Sequence, residues 1–347
     1  MIKYVCLVMA FMLQTIALTA QNMVAEKHLT IALTGDIMMG TTYPNEQLPV
    51  QEGRQLFVHA KRVLKRADLA AGNLEGTLCD SGETHKILSK SSYAFRTPTV
   101  FAPRLKEAGY DFMSMANNHA FDFGQDGVNS TMHCLTEQGI AFAGIKGYPP
   151  SVVIERHGVK YGLCAFGHNG YTYKHQDLQT VREVITELVN LCDVVIVSFH
   201  GGAEGARHAR LPHGTEMFYN EDRGSLREFA HFCIDAGADV VFGHGPHVVR
   251  AVELYKEHFI AYSLGNFCTP YGMNLLGISG YAPILELSLT RDGRFFAGQL
   301  HSFVQRRGVG PQPDFQHRAA KEIKRLTALD VPETPLIISD YGLIKHK

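Results

Sequence analysis

Residues 29–36 read Leu29-Thr30-Ile31-Ala32-Leu33-Thr34-Gly35-Asp36, an apolar run closed by a glycine turn and a carboxylate. The pattern returns five times. Gly72-Asn73-Leu74-Glu75 follows 68–71, and Asn117-Asn118-His119 follows 111–116. His200-Gly201-Gly202-Ala203-Glu204 follows 194–199, and Gly243-His244-Gly245-Pro246-His247 follows 240–242. Ser263-Leu264-Gly265-Asn266-Phe267 follows 259–262. Short apolar runs of this kind are buried parallel strands. In an α/β sheet the C-terminal strand ends share one edge, and ligands bind there. Segments distant in sequence are therefore expected to deliver Asp, Asn, Glu and His to one crevice.

Helical patterns alternate with these runs. Apolar periodicity predicts helices over 52–67, 99–108, 125–138, 178–191 and 223–236. Alternation of this kind indicates a largely parallel sheet covered on both faces. From 151 onward hairpins are expected as well: 152–156 with 159–166, 248–254 with 259–263, and 284–290 with 295–304. The combined reading is an α/β chain with two sheets and helices outside. A Gly-, Pro- and Arg-rich stretch at 305–313 marks the expected end of the core domain, 28–305. A basic helix near 315–326 is expected in the extension, 306–347.

The 347 residues suffice for one large domain with a substantial core. Hydrophobic residues make up 45% and charged residues 19%, the balance of a globular chain. A net charge of −1 offers no basic field, which excludes nucleic acid as an expected partner. The 18 histidines suit a metal site. Residues 1–20 read as a secretory signal: Lys3, an apolar stretch, then Leu18-Thr19-Ala20 before Gln21. Export to the periplasm or cell surface follows, with membrane anchoring if the signal stays uncleaved. Cys6 lacks a lipid-attachment context. Cys79, Cys134, Cys164, Cys192, Cys233 and Cys268 form no zinc-ribbon spacing and read as buried fillers, with any disulfide pairing open.

The stretch from Ala94-Phe95-Arg96-Thr97-Pro98 to Asn117-Asn118-His119-Ala120-Phe121-Asp122-Phe123-Gly124 resembles the CapA family of bacterial capsule-synthesis proteins. Asp235-Ala236-Gly237-Ala238-Asp239, Gly243-His244-Gly245-Pro246-His247-Val248 and 262–267 agree with it in order. The resemblance covers about 29–304. It implies poly-γ-glutamate capsule biosynthesis and kinship with calcineurin-like metallophosphatases, hence a four-layer α/β/β/α sandwich. Compared with those enzymes, Asp36, Asn118, His200, His244 and His247 match metal ligands, and His119 matches the residue that acts on the leaving group. Met38 stands in place of the first-motif His and Asn73 in place of the bridging Asp, with Glu75 as a replacement carboxylate. The implied cofactor is one or two divalent ions, zinc, manganese or iron.

Singly, most of these residues have plainer readings. Gly35-Asp36 is often only a turn, and a lone His200 is more often a satisfied core histidine. Asn266 and Asp122 read as orienting residues behind the site rather than ligands. His59, His85, His133, His157, His231, His258, His301 and His317 lie away from the motif positions. Two loops, 81–96 and 202–222, offer substrate contacts, chiefly Arg96, Glu204 and Arg207. Two function classes stay open. One is a metal-dependent hydrolase of a phosphoester or a γ-glutamyl or related amide in an anionic envelope polymer. The other is a non-catalytic capsule-assembly or polymer-binding protein, working with membrane partners of capsule synthesis. A solute-binding protein is a third.

Overall fold

The computed structural model describes residues 28–84, 86 and 93–347. The signal expected at 1–20, and His85 with it, lies outside the described residues. Among those described, a nine-stranded and a six-stranded sheet carry the fold.

The first sheet is mixed. Leu29–Ile37, Leu69–Leu74, Phe112–Ser114 and Ala141–Ala143 run parallel, and the short strand Asn266–Cys268 also pairs parallel with Leu29–Ile37. On the other side Ile284–Leu289, Phe295–His301, Leu343–His346 and Leu336–Ile338 continue the sheet antiparallel. In the second sheet His258–Ala261, Val240–His244, Val194–His200 and Val159–Phe166 are parallel. Antiparallel Val252–Tyr255 and Ser151–Arg156 close its two edges.

Alternation along the strands builds the layers. Leu29, Ile31 and Leu33 point into one core cluster shared with Leu163, Ile196 and Val241 of the other sheet. Ala32 and Ile37 belong to a second cluster with Leu64, Leu105 and Val128, from helices Lys61–Arg66, Ala102–Ala108 and Gly124–Glu137. Val181, Val184, Ile185 and Leu188 form the buried stripe of helix Leu178–Leu191, at the spacing of one helix face. That helix starts where the Asp177 side chain accepts from Thr180 N. With helix Leu226–Asp235 it contributes to the first cluster, completing helices, sheet, sheet, helices in four layers.

Two expectations change. The region 52–67 is not one helix: Gln51, Glu52 and Gly53 take left-handed φ, only turns follow, and the α-helix spans Lys61–Arg66. Residues 306–347 are not an appended extension. Helix Arg318–Asp330 buries Ala320, Ile323 and Leu326 in the first cluster, and the two last strands complete the first sheet. Once sheet pairing is available, the chain beyond 305 gains more from burial than from solvent.

All six cysteines within the described residues are free, and all but Cys192 are buried. No helix among the described residues is long and apolar enough to cross a membrane.

Candidate metal centre

Parallel register assembles the site. Asp36 pairs with Asn73 on one side and with Asn266 on the other. In the second sheet His244 pairs with His200. Asp36, Asn73, His200 and His244 sit where their strands stop, so four strand ends meet between the sheets. Close backbone approach makes this possible. A Cβ on Gly35 would lie 1.8 Å from Gly265 O, so only glycine admits the chain there. Gly245, at φ 114°, likewise faces Gly201 O at 2.5 Å from a built Cβ. Its turn returns the chain so that His247 reaches Asp36.

The contacts are short and buried. Asn73 Nδ2 donates to Asp36 Oδ1 and to Glu75 Oε2, both at 2.9 Å. His247 Nδ1 lies 3.0 Å from Asp36 Oδ2 and 3.0 Å from Asn266 Oδ1, and its Nε2 lies 3.5 Å from Glu75 Oε1. His200 Nε2 is 3.4 Å from Glu75 Oε1, and His244 Nδ1 is 3.4 Å from Asp36 Oδ1. One donor atom each from Asp36, Glu75 and His247 lies within 4.8 Å of the other two. Glu75 therefore points inward, fully buried.

Electrostatics polarise this group. Burial raises the Asp36 carboxyl, but contacts with His244 and His247 outweigh it and hold the group well below its ordinary range. Burial and then the charge of Asp36 push Glu75 well above its own. Burial opposes the charge on His247, yet Glu75 and Asp36 lift it to about 10. His200 is driven well down by burial. Neither ring nitrogen of His244 has a hydrogen-bond partner, nor has His200 Nδ1, although both residues are fully buried. Buried ring nitrogens without hydrogen bonds are costly unless something binds them. Carboxylate, imidazole and amide donors at this spacing fit a divalent metal ion.

His119 sits beside this cluster. Its Nδ1 lies 2.8 Å from Asp122 Oδ2, and Lys86 forms an ion pair with the other Asp122 oxygen. Burial lowers the His119 pKa. Asn117, rather than Asn118, makes the amide contact: its Nδ2 donates to Asn73 Oδ1 at 3.0 Å. Asn118 lines the adjoining cleft with a buried Oδ1 that has no partner. The cleft holds about 780 Å³, with Glu204, Asn266, His119 and His247 among its lining.

Arg96 and Arg207 do not line it. The Arg96 guanidinium is spent on Thr42 Oγ1 and Gly82 O, over the rings of Tyr43 and Phe123. Arg207 is exposed on the short 3-10 turn Ala206–His208. Among the described residues, the Lys and Arg side chains that line it are Lys86 and Arg223. His168 was also missed. Its ring stacks on His200 with centroids 5.5 Å apart, and burial, then Arg223, lowers its pKa to about 3. A signal existed: Gly167-His168-Asn169-Gly170 closes the apolar run Val159–Phe166, the same position as the six motifs.

Residues 30–271 match the bacterial capsule synthesis protein PGA_cap family. The chain belongs to that family. Among similar proteins, the PGA biosynthesis protein CapA of Bacillus subtilis is 28% identical over 261 residues, 70% of this chain and 64% of that one. The capsule biosynthesis protein CapA of Bacillus anthracis is 28% identical over 264 residues, 70% and 60%. The match thus spans less than two-thirds of these relatives' own length. A solved structure of a phosphatase from Mycoplasma pneumoniae aligns with a TM-score of 0.49 at 14% identity, covering 83% of this chain and 96% of that chain.

Proposed function

We propose that this chain is an exported, divalent-metal-dependent hydrolase of the cell envelope, acting on a phosphoester or a γ-glutamyl or related amide during capsule-polymer metabolism. The observation that carries this is the convergence of Asp36, Glu75 and His247 donors with buried His244 and His200, whose rings keep nitrogens without a hydrogen bond. Asp36, Glu75, His200, His244 and His247 would hold the ion, with Asn73 as the amide between the carboxylates. When bound, such an ion supplies Lewis-acid activation of the scissile group and of water. Asp122 fixes the His119 ring through Nδ1, which leaves Nε2 to give a proton to the leaving group. Asn266, bonded to His247 Nδ1, orients that ring.

One observation favours a non-catalytic reading. Asn73 already bridges Asp36 and Glu75 through its amide, so the two carboxylates are satisfied without an ion. On that reading the cleft binds polymer during capsule assembly. The test is the metal content of full-length chain purified without chelator, followed by hydrolysis assays on phosphoesters and poly-γ-glutamate. The hydrolase reading expects bound divalent metal, turnover, and loss of both in Glu75→Gln with the fold intact. Metal-free protein that takes up no added ion, or metal binding unchanged by Glu75→Gln, sinks it.

A further inference from the structure

Lys86 is paired with Asp122, and Arg223 donates to both Glu204 and Glu221 at 2.9 Å, so the Lys and Arg side chains of the cleft lining among the described residues already have carboxylate partners. What the walls offer instead is rings: Phe95, Tyr171, Phe218 and Tyr219 all line the cleft.

Tyr219 is the informative one. Strands Met217–Phe218 and Glu221–Asp222 pair antiparallel, leaving Tyr219 and Asn220 as a two-residue turn at φ 48° and 64°. A turn with both central residues left-handed suits Asn and Gly, whereas a bulky aromatic there is strained. Tyr219 is 68% exposed, so core burial does not offset that strain. It meets the Phe218 ring edge-on, with centroids 4.4 Å apart. Strain held at an exposed aromatic on a cleft wall points to ligand contact rather than to folding.

We propose that Tyr219 and Phe218 form a ring-binding subsite, so that the substrate carries a neutral ring, sugar or aryl, next to the group presented to Asp36, Glu75 and His247. This deepens the hydrolase reading and rests on it for the identity of that group. Stacking a ring here removes apolar surface from water on a face that charged polymer segments cannot use.

The test is calorimetric binding of phenylphosphonate, a glucosylmethyl phosphonate and butylphosphonate to the full-length, metal-loaded chain, its Tyr219→Asn and Phe218→Leu variants, and metal-stripped wild type. At least one ring ligand should bind about threefold to tenfold tighter than butylphosphonate. Which of the two does so separates aryl from sugar. Tyr219→Asn removes the left-handed strain, so its Tm should equal or exceed that of wild type while the ring preference disappears. Equal affinities, a preference that survives both variants, or no binding of any phosphonate overturns the proposal. Metal content and turnover are read on the same samples. A metal-loaded hydrolase without ring preference refutes only the subsite. A ring preference in protein that neither holds metal nor turns over substrate refutes only the hydrolase.

Discussion

At the residue scale, four buried groups, Asn73, Asp36, Glu75 and His119, carry the proposed chemistry. Asn73 donates to two carboxylates at once, and that arrangement predicts the behaviour of Asn73→Asp. A third carboxylate beside Asp36 and Glu75 adds like charge in a buried site. The metal-free variant should therefore melt below wild type, and added zinc or manganese should raise its Tm more than it raises that of wild type. Equal responses would show that no ion binds between Asp36 and Glu75. His119 makes the complementary case. It touches Asp122, and neither Asp36 nor Glu75 is among its hydrogen-bond partners. His119→Ala should thus lower turnover by about 10²–10⁴-fold, the usual contribution of a positioned acid. Metal content should stay at the wild-type level. A parallel fall in both would make His119 a ligand.

At the element scale, Glu286 shows how charge ties neighbouring pieces together. It lies on strand Ile284–Leu289, accepts from Arg66 Nε at the end of helix Lys61–Arg66, and meets His301 Nε2 of the adjacent strand at 2.6 Å. Burial works against its charge, but the bonds from His301 and Arg66 prevail and bring its pKa down to about 2. A depressed carboxylate stabilises the fold above its unfolded pKa, and that stability is lost as pH falls through the folded value. Urea midpoints should therefore fall between about pH 4.5 and pH 2 in wild type. Glu286→Gln should cost about 1–2 kcal/mol at pH 7 and flatten that part of the profile. An unchanged pH profile in the variant would place the acid sensitivity elsewhere.

At the scale of the whole molecule, the proposed centre lies across the sandwich. Asp36 and Asn73 lie on strands of the first sheet with Glu75 just beyond, and His200 and His244 on strands of the second with His247 in the loop that follows. An ion bound there would link both sheets in the native state and would have no equivalent site in the unfolded chain. Chelation should then lower the global Tm, corresponding to about 2.7 kcal/mol at an ion concentration a hundred times its Kd. Re-adding metal should restore it. A Tm indifferent to chelator, in protein shown to contain metal beforehand, would put the ion elsewhere. The last strands matter at this scale too. Removing 331–347 strips Leu336–Ile338 and Leu343–His346 from the sheet, uncovers the edge of Phe295–His301, and should give a chain that aggregates in light scattering.

Much of this was legible from the amino acids alone. Apolar runs ending in Asp36, Asn73, His200 and His244 locate parallel strand ends, because buried strands are continuous in hydrophobicity and stop where polar side chains begin. The inward Glu75 follows from its two-residue spacing from Asn73. Other features depend on register and on partners far away in sequence. Local pattern cannot show that Arg96 is tied to Gly82, that Asn117 rather than Asn118 reaches Asn73, or that Arg223 holds Glu204 and Glu221. Nor can it show that Tyr219 sits strained at the tip of a hairpin, or that the chain after 305 completes the first sheet. Periodicity reports which face of a segment is buried. Which groups then meet across that face is set by sheet pairing and close packing, and those exist only in the folded chain.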